Sequence, residues 1–295
     1  MSIGFCGLGG MGSAITERLI AQGHHLNIWN RTPDRAAPLV ALGATQAKTP
    51  AGIASTSDIV LTCLFDDAAL NEVYAGPEGL LSGNCADTLF IDTSTVRADT
   101  LIALAEQARA KGAALLECPI AGPPPAARAG NLLGFTGGTG AEMARARPVL
   151  EAFCRKVLHM GALGTGNRMK LAVNLPLLVY FTALGEALSL VRDVPVDPRQ
   201  IIELLGESPG GANVMKLMGP LIADAWIEGK DPGGFFSVSA VRKDVRLMLA
   251  AAERSGLSLP VTRSALDSYD EAVDAGWADR PFFTQALYRR GGAAQ

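Results

Sequence analysis

The run Gly7-Leu8-Gly9-Gly10-Met11-Gly12 constrains this chain more than any other stretch. Ile3-Gly4-Phe5-Cys6 before it reads as a short apolar strand, and Ser13 to Ile20 after it has helical spacing. Strand, glycine turn and helix in that order form the phosphate-binding unit of a dinucleotide fold. In such a unit Gly7 permits the tight turn, Gly9 lets the pyrophosphate approach the backbone, and Gly12 lets helix and strand pack closely. Leu8, Gly10 and Met11 complete the loop, so all six residues are assigned to the cofactor. The helix N-terminus adds free N–H groups and partial positive charge for phosphates.

His25-Leu26-Asn27-Ile28-Trp29 supplies a second strand. Its end is where a dinucleotide fold usually carries an acid for the ribose 2′-hydroxyl. This chain has Asn30-Arg31-Thr32 there instead. A carboxylate would repel a 2′-phosphate, whereas a guanidinium pairs with one through charge-assisted bonds. The expected cofactor is therefore NADP, with NAD as the alternative. The competing reading makes Arg31 a solvated turn residue ahead of Thr32-Pro33.

At 295 residues the chain exceeds the usual size of one core, which favours two domains. Charged residues make up 19% and apolar ones 48%, enough for a large core. The net charge of -3 gives no general attraction to nucleic acid or an anionic membrane. The five cysteines are widely spaced, lack zinc-ligand patterns and read as buried thiols, and no metal site is expected. The N-terminus enters a strand at once, without a leader pattern, so the expected setting is cytoplasmic. The longest apolar run, Leu175 to Leu184, contains Pro176 and is too short to span a bilayer.

Up to residue 160 short apolar strands alternate with helices. Candidate strands are Ile3–Cys6, His25–Trp29, Ile59–Cys63, Thr88–Ile91, Ala114–Glu117 and Leu133–Thr136. This alternation predicts an α/β fold with a doubly wound, Rossmann-type parallel sheet. Ligands bind at the carboxyl ends of such strands, which places Leu64-Phe65 and Thr93-Ser94-Thr95 in the nucleotide cleft. After Gly161 the strand signal ends. Asn167 to about Arg192 reads as one helix about 39 Å long, apolar nearly all round and so expected to be buried. Further helices follow, broken at Ser208-Pro209-Gly210-Gly211 and Asp231-Pro232-Gly233-Gly234. The expected division is residues 1–162, an NADP-binding domain, and 163–295, an all-helical domain for substrate and oligomerisation that opens with a long interdomain helix.

Lys170 and Asn174 lie at i, i+4 on that helix, near the expected cleft. A desolvated lysine has its charged form disfavoured, which suits proton transfer to a carbonyl oxygen. The alternative is a lysine on an exposed first turn that reaches into solvent.

The motifs Gly7-Leu8-Gly9-Gly10-Met11-Gly12, Trp29-Asn30-Arg31-Thr32, Asp92-Thr93-Ser94-Thr95, Gly164-Thr165-Gly166 with Lys170 and Asn174, and Lys243-Asp244 resemble the β-hydroxyacid dehydrogenase family over nearly the whole chain. The resemblance implies a Rossmann domain, an all-helical domain and a homodimer or homotetramer. It also implies that Lys170 is catalytic, that Asn174 binds substrate, that Lys243 after Phe235-Phe236 reaches the nicotinamide, and that Thr95 contacts its ribose. The implied reaction is hydride transfer between NADP and a small β-hydroxyacid or semialdehyde.

The block expected to read the substrate departs from the family pattern Asp-Ala-Pro-Val-Ser-Gly-Gly. Here it is Glu117-Cys118-Pro119-Ile120-Ala121-Gly122-Pro123. Ala121 stands in place of the serine beside Gly122, and Pro123 removes a backbone donor. Each lost charge-assisted bond to a carboxylate costs on the order of 1.5–3 kcal/mol. Arg128 is a candidate replacement for anion binding, or else a solvated loop residue. Val173 stands where the family often has another asparagine. These changes describe a less polar pocket and admit a second reading, an imine or hydrophobic ketone reductase, although Lys170 favours carbonyl chemistry. A third reading is a non-catalytic nucleotide-binding scaffold.

Overall fold

A strand covered on both faces must be apolar at every position, and the first half of this chain contains several such strands. The computed structural model describes residues 1–229, 231, 233 and 236–290. The first strands and helices are β1 (Ile3–Cys6), α1 (Gly10–Ala21), β2 (Leu26–Trp29), α2 (Ala37–Ala41), β3 (Thr45–Gln46) and α3 (Pro50–Ala54). Then come β4 (Ile59–Thr62), α4 (Asp67–Ala75), β5 (Leu89–Asp92), α5 (Ala98–Ala110) and β6 (Ala114–Glu117). A smaller group follows: β7 (Ile120–Ala121), α6 (Pro124–Arg128), β8 (Leu132–Thr136), α7 (Gly140–Phe153) and β9 (Cys154–His159).

The first six strands form one parallel sheet in the order β3-β2-β1-β4-β5-β6. Successive side chains alternate between two apolar layers. Ile3, Phe5, Ile59, Leu61, Leu89 and Ile91 pack on one face with Leu19 and Phe153. Cys6, Val60, Phe90 and Leu115 pack on the other with Tyr74 and Leu104. The sheet reverses its winding between β1 and β4, where Gly7 and Cys63 meet. A Cβ on Gly7 would stand 2.3 Å from the Cys63 carbonyl oxygen. Asp66 caps α4 by accepting the Ala69 N–H at 2.9 Å, the role its place after a strand implies.

The expected strand at Leu133–Thr136 is β8, which belongs to a second sheet ordered β7-β8-β9. It runs antiparallel to β7 and parallel to β9. The short strands β3 and β7 are too brief to show alternation, and β9 is largely exposed, so none carries the apolar run that marks a buried strand.

The second half is helical: α8 (Thr165–Leu190), α9 (Pro198–Glu207), α10 (Met215–Glu228), α11 (Val238–Arg254), α12 (Pro260–Ala272) and α13 (Gln285–Arg289). By its internal packing the chain separates into compact units Met1–Lys170 and Leu171–Gln295. The second unit packs around Phe181, Tyr269 and Phe283. Phe181 meets Phe282 edge-on at 5.1 Å, and the Tyr269 hydroxyl donates to the Leu178 carbonyl at 2.7 Å. Of the second expected helix break and its flank, Pro232, Gly234 and Phe235 lie outside the described residues.

Helix α8 departs from expectation in two ways. It is long and apolar enough to cross a membrane by length and composition alone, because the Leu175–Leu184 run is only part of it. It is also not buried on most faces. Met169, Val173, Pro176, Ala183 and Leu190 form an exposed stripe, with Leu190 88% exposed.

Gly9 and Gly12 separate two kinds of glycine. A Cβ on Gly12 would lie 1.9 Å from the Gly7 carbonyl oxygen, whereas one on Gly9 meets nothing within 4 Å. Gly9 has φ -72° and ψ -174°, backbone open to any residue. Gly12→Ala is expected to cost about 1–3 kcal/mol or more in chemical denaturation, and Gly9→Ala to stay within about 0.5 kcal/mol. Equal losses would contradict this division.

Candidate active site and nucleotide cradle

The glycine turn is held from the end of β2. Gly7, at φ +102°, donates its N–H to the Trp29 carbonyl at 3.0 Å. The Leu8 N–H donates to Asn30 Oδ1 at 2.8 Å, and Asn30 Nδ2 donates to the Thr32 carbonyl at 2.9 Å. Asn30 therefore braces the loop with both ends of its amide. Helix α1 starts after Gly9 with no side-chain cap and no acid in its first turn. The fingerprint glycines divide accordingly: protein atoms explain Gly7 and Gly12, while the space at Gly9 and Gly10 is left clear. An uncapped helix start with open space before it fits a dinucleotide pyrophosphate. Arg31 and Thr32 are exposed beside it, and Arg31 Nη1 has a loose ion pair to Glu72 at 4.0 Å.

The loops after β4 and β5 are tied together. Ser94 Oγ accepts the Leu64 N–H at 2.9 Å and donates to Asp92 Oδ1 at 2.8 Å, and Thr93 Oγ1 donates to the Thr62 carbonyl at 2.7 Å. The expectation that Thr93, Ser94 and Thr95 all line the cleft is corrected: Thr93 and Ser94 are buried and bonded inward, and only Thr95 is partly exposed. Phe65, next to Leu64, is exposed.

Asp92 and Glu117 stand side by side in the register of β5 and β6, both fully buried. Burial raises the Asp92 carboxyl from its ordinary value to about 6, against hydrogen bonds from Thr62 and Ser94, with the Glu117 charge adding to the rise. Burial also raises Glu117, opposed by the donors of Gly164, Gly166 and Asn167. Glu117 Oε1 accepts the N–H groups of Gly164 at 2.5 Å and Gly166 at 2.8 Å. Its Oε2 accepts Asn167 N–H at 3.1 Å and Asn167 Nδ2 at 2.7 Å. Asn167 Oδ1 in turn accepts the Val96 N–H at 3.2 Å. These bonds attach the first turn of α8 to the end of β6 and the loop after β5. Lys170 itself is 8% exposed, so the reading of a solvent-reaching lysine gives way to a buried one.

The block around Ala121 lies on β7 and the turn after it. Ala121 is half-buried, and Gly122, at φ +133°, takes a conformation that favours glycine. Arg128 is not a free anion-binding group, because its Nε bonds Glu17 Oε2 at 2.5 Å and braces α6 on α1. Val173 is 43% exposed.

In the second unit Asn174 and Lys243 converge on one acid. Asn174 Nδ2 lies 3.5 Å from Asp244 Oδ2, and Lys243 Nζ lies 2.9 Å from Asp244 Oδ1. Asp244 is 2% exposed. Sequence reasoning gave no role to Asp244, Glu117 or Asn167. The available signal was an acid at the end of a parallel strand ahead of a Gly-Thr-Gly helix start, and an acid following a lysine.

Residues 2–161 match the family described as the NAD binding domain of 6-phosphogluconate dehydrogenase. Residues 164–286 match the NAD-binding domain of NADP-dependent 3-hydroxyisobutyrate dehydrogenase. The chain is 33% identical to 3-hydroxyisobutyrate dehydrogenase of Pseudomonas aeruginosa, over 97% of this chain and 98% of that one. It is 31% identical to the chloroplastic glyoxylate/succinic semialdehyde reductase 2 of Arabidopsis thaliana, over 96% of this chain and 77% of that one. The solved 3-hydroxyisobutyrate dehydrogenase of Mycobacterium tuberculosis with L-serine aligns at TM-score 0.82 and 27% identity, covering 97% of this chain and 98% of that one. The chain belongs to the β-hydroxyacid dehydrogenase family of NAD(P)-dependent oxidoreductases.

A carboxyl with a folded-state pKa above its unfolded one binds more protons when folded, so its contribution to stability falls as pH rises. For Asp92 the window runs from the ordinary value of 3.8 to about 6. The full span is worth on the order of 3 kcal/mol. Asp92→Asn is expected to flatten the fall in unfolding free energy between about pH 4 and pH 6. Parallel pH curves for the two proteins would contradict it.

Proposed function

We propose that this protein transfers hydride between NADP and a small β-hydroxyacid or its semialdehyde, with Lys170 moving the proton at the substrate oxygen. The observation that carries this reading is a buried lysine on the second turn of a helix whose start is fixed by Glu117. Asn174 follows one turn later and is held by Asp244. The names of the relatives, which act on 3-hydroxyisobutyrate, glyoxylate and succinic semialdehyde, support the substrate class.

When bound, the nicotinamide supplies or accepts the hydride. The glycine loop and the α1 N-terminus would hold its pyrophosphate, Arg31 and Thr32 its 2′-phosphate, and Leu64, Phe65 and Thr95 the part nearer the nicotinamide, to which the family resemblance also assigns Lys243. Lys170 donates a proton to the carbonyl oxygen during reduction and takes one back during oxidation. Its positive charge also stabilises the developing oxyanion. The family resemblance assigns Asn174 to an amide contact with the substrate and Ala121 and Gly122 to its carboxylate. Ala121 brings a methyl group where a hydroxyl is usual in the family, which supports a second reading in which the preferred carbonyl carries an apolar neighbour, as in a ketone or imine reductase. The free thiols fit a reducing compartment such as the cytoplasm.

Lys170→Met is expected to lower kcat by about 10²–10⁴-fold while NADPH affinity stays within about threefold. The assay follows NADPH absorbance with glyoxylate, succinic semialdehyde, a hydrophobic ketone and a cyclic imine. Arg31→Asp is expected to abolish a preference for NADPH over NADH. Unchanged turnover in the first variant removes the assigned base, and unchanged preference in the second removes the phosphate contact.

The exposed apolar stripe of α8 supports a homodimer or homotetramer in which a second copy covers it. Light scattering is expected to report that state at micromolar concentration. A monomer at every concentration would exclude it.

A further inference from the structure

We propose that Glu117, with Asn167, is a positioning residue for Lys170: its carboxylate clamps the first turn of α8 and thereby fixes where the reacting ammonium stands. The inference rests on the assignment of Lys170 above. Four donors converge on the two carboxylate oxygens, three of them backbone N–H groups from Gly164, Gly166 and Asn167. No intrahelical bond can satisfy the N–H groups of a first turn. The acid therefore makes up most of the anchorage at this end of the helix.

Its space is cut into the surrounding backbone. A Cβ on Gly137 would lie 2.1 Å from Glu117 Oε1, and one on Gly166 would lie 2.3 Å from the Phe135 carbonyl and 3.1 Å from Glu117 Cδ. Lys170 follows Asn167 by three residues, so rotation or translation of the first turn carries Lys170 with it. Asn167 also takes the Val96 N–H, so the loop bearing Thr95 and the helix bearing Lys170 share one frame. A displacement of about 1 Å at a reacting group can cost on the order of a hundredfold in rate. A clamp of this kind governs turnover without needing to touch a reacting atom.

The test combines Glu117→Gln, Glu117→Asp, Lys170→Met and the double variant Glu117→Gln with Lys170→Met. Each is assayed with NADPH and the best substrate of the panel above. Glu117→Gln turns one acceptor oxygen into a donor facing the amide groups of Asn167. It is expected to lower kcat by about 30–100-fold, with NADPH affinity within about threefold of the parent. Glu117→Asp, which keeps the charge, is expected to restore about tenfold of that loss.

If the acid acts through Lys170, the double variant is no slower than Lys170→Met alone. Losses that multiply would overturn the proposal, as would wild-type kcat in Glu117→Gln. Should that variant fail to fold, Asn167→Ala removes a single donor, and is expected to lower kcat about five- to tenfold and to speed hydrogen exchange in the peptide 163–170. Unchanged kcat there would equally overturn the clamp. Undiminished turnover in Lys170→Met is a separate result: it removes the underlying assignment, whatever Glu117→Gln shows.

Discussion

The buried carboxylate of Glu117, filled on both oxygens by the start of α8, is the interaction on which the rest of the candidate site depends. A helix start is a row of unsatisfied donors with partial positive charge, and a carboxylate at the end of a parallel strand is its natural complement. Within the first compact unit the contact joins the end of β6 to the first turn of α8, one turn ahead of Lys170. The desolvation of Glu117 is offset by four hydrogen bonds rather than by a counter-ion among its hydrogen-bond partners. That arrangement ties a charged group to backbone geometry, and so to position.

Asp92, one strand away, plays the corresponding part for the loops. Its carboxylate gathers Thr62 and Ser94, and Ser94 gathers Leu64. The turns after β4 and β5 thus hold each other in place through protein atoms alone. Asn30 does the same for the glycine turn. The candidate nucleotide side is therefore braced by three short polar networks set on an apolar sheet. Such preorganisation lowers the ordering that binding must impose.

The parallel sheet and the glycine turn were legible because their signals are local. Continuous apolar strands, a fingerprint spacing and a helical period each come from neighbouring residues. The second sheet was not legible, because β7 has two residues and β9 is largely exposed, and pairing between distant segments supplies what their composition does not. The long helix was located well, yet its apolar surface gave no information about which side stays exposed. Lys170 and Asn174 stood out through their spacing on an apolar helix, and Lys243 through resemblance. Glu117, Asn167 and Asp244 did not, since a buried acid betrays itself only through the donors that surround it. Arg128 read as a free cation until Glu17, far away in sequence, proved to be its partner.

Gly137 and Gly166 leave the room in which the clamp sits. Both lack side chains where the carboxylate or the neighbouring backbone would collide with one. A Cβ on Gly137 would meet the carboxylate itself, whereas one on Gly166 would meet the Phe135 carbonyl first and the acid only after it. While Glu117 keeps its place, neither position can accept even a methyl group unless backbone or acid gives way, so the helix start is built to a tolerance of less than one carbon atom.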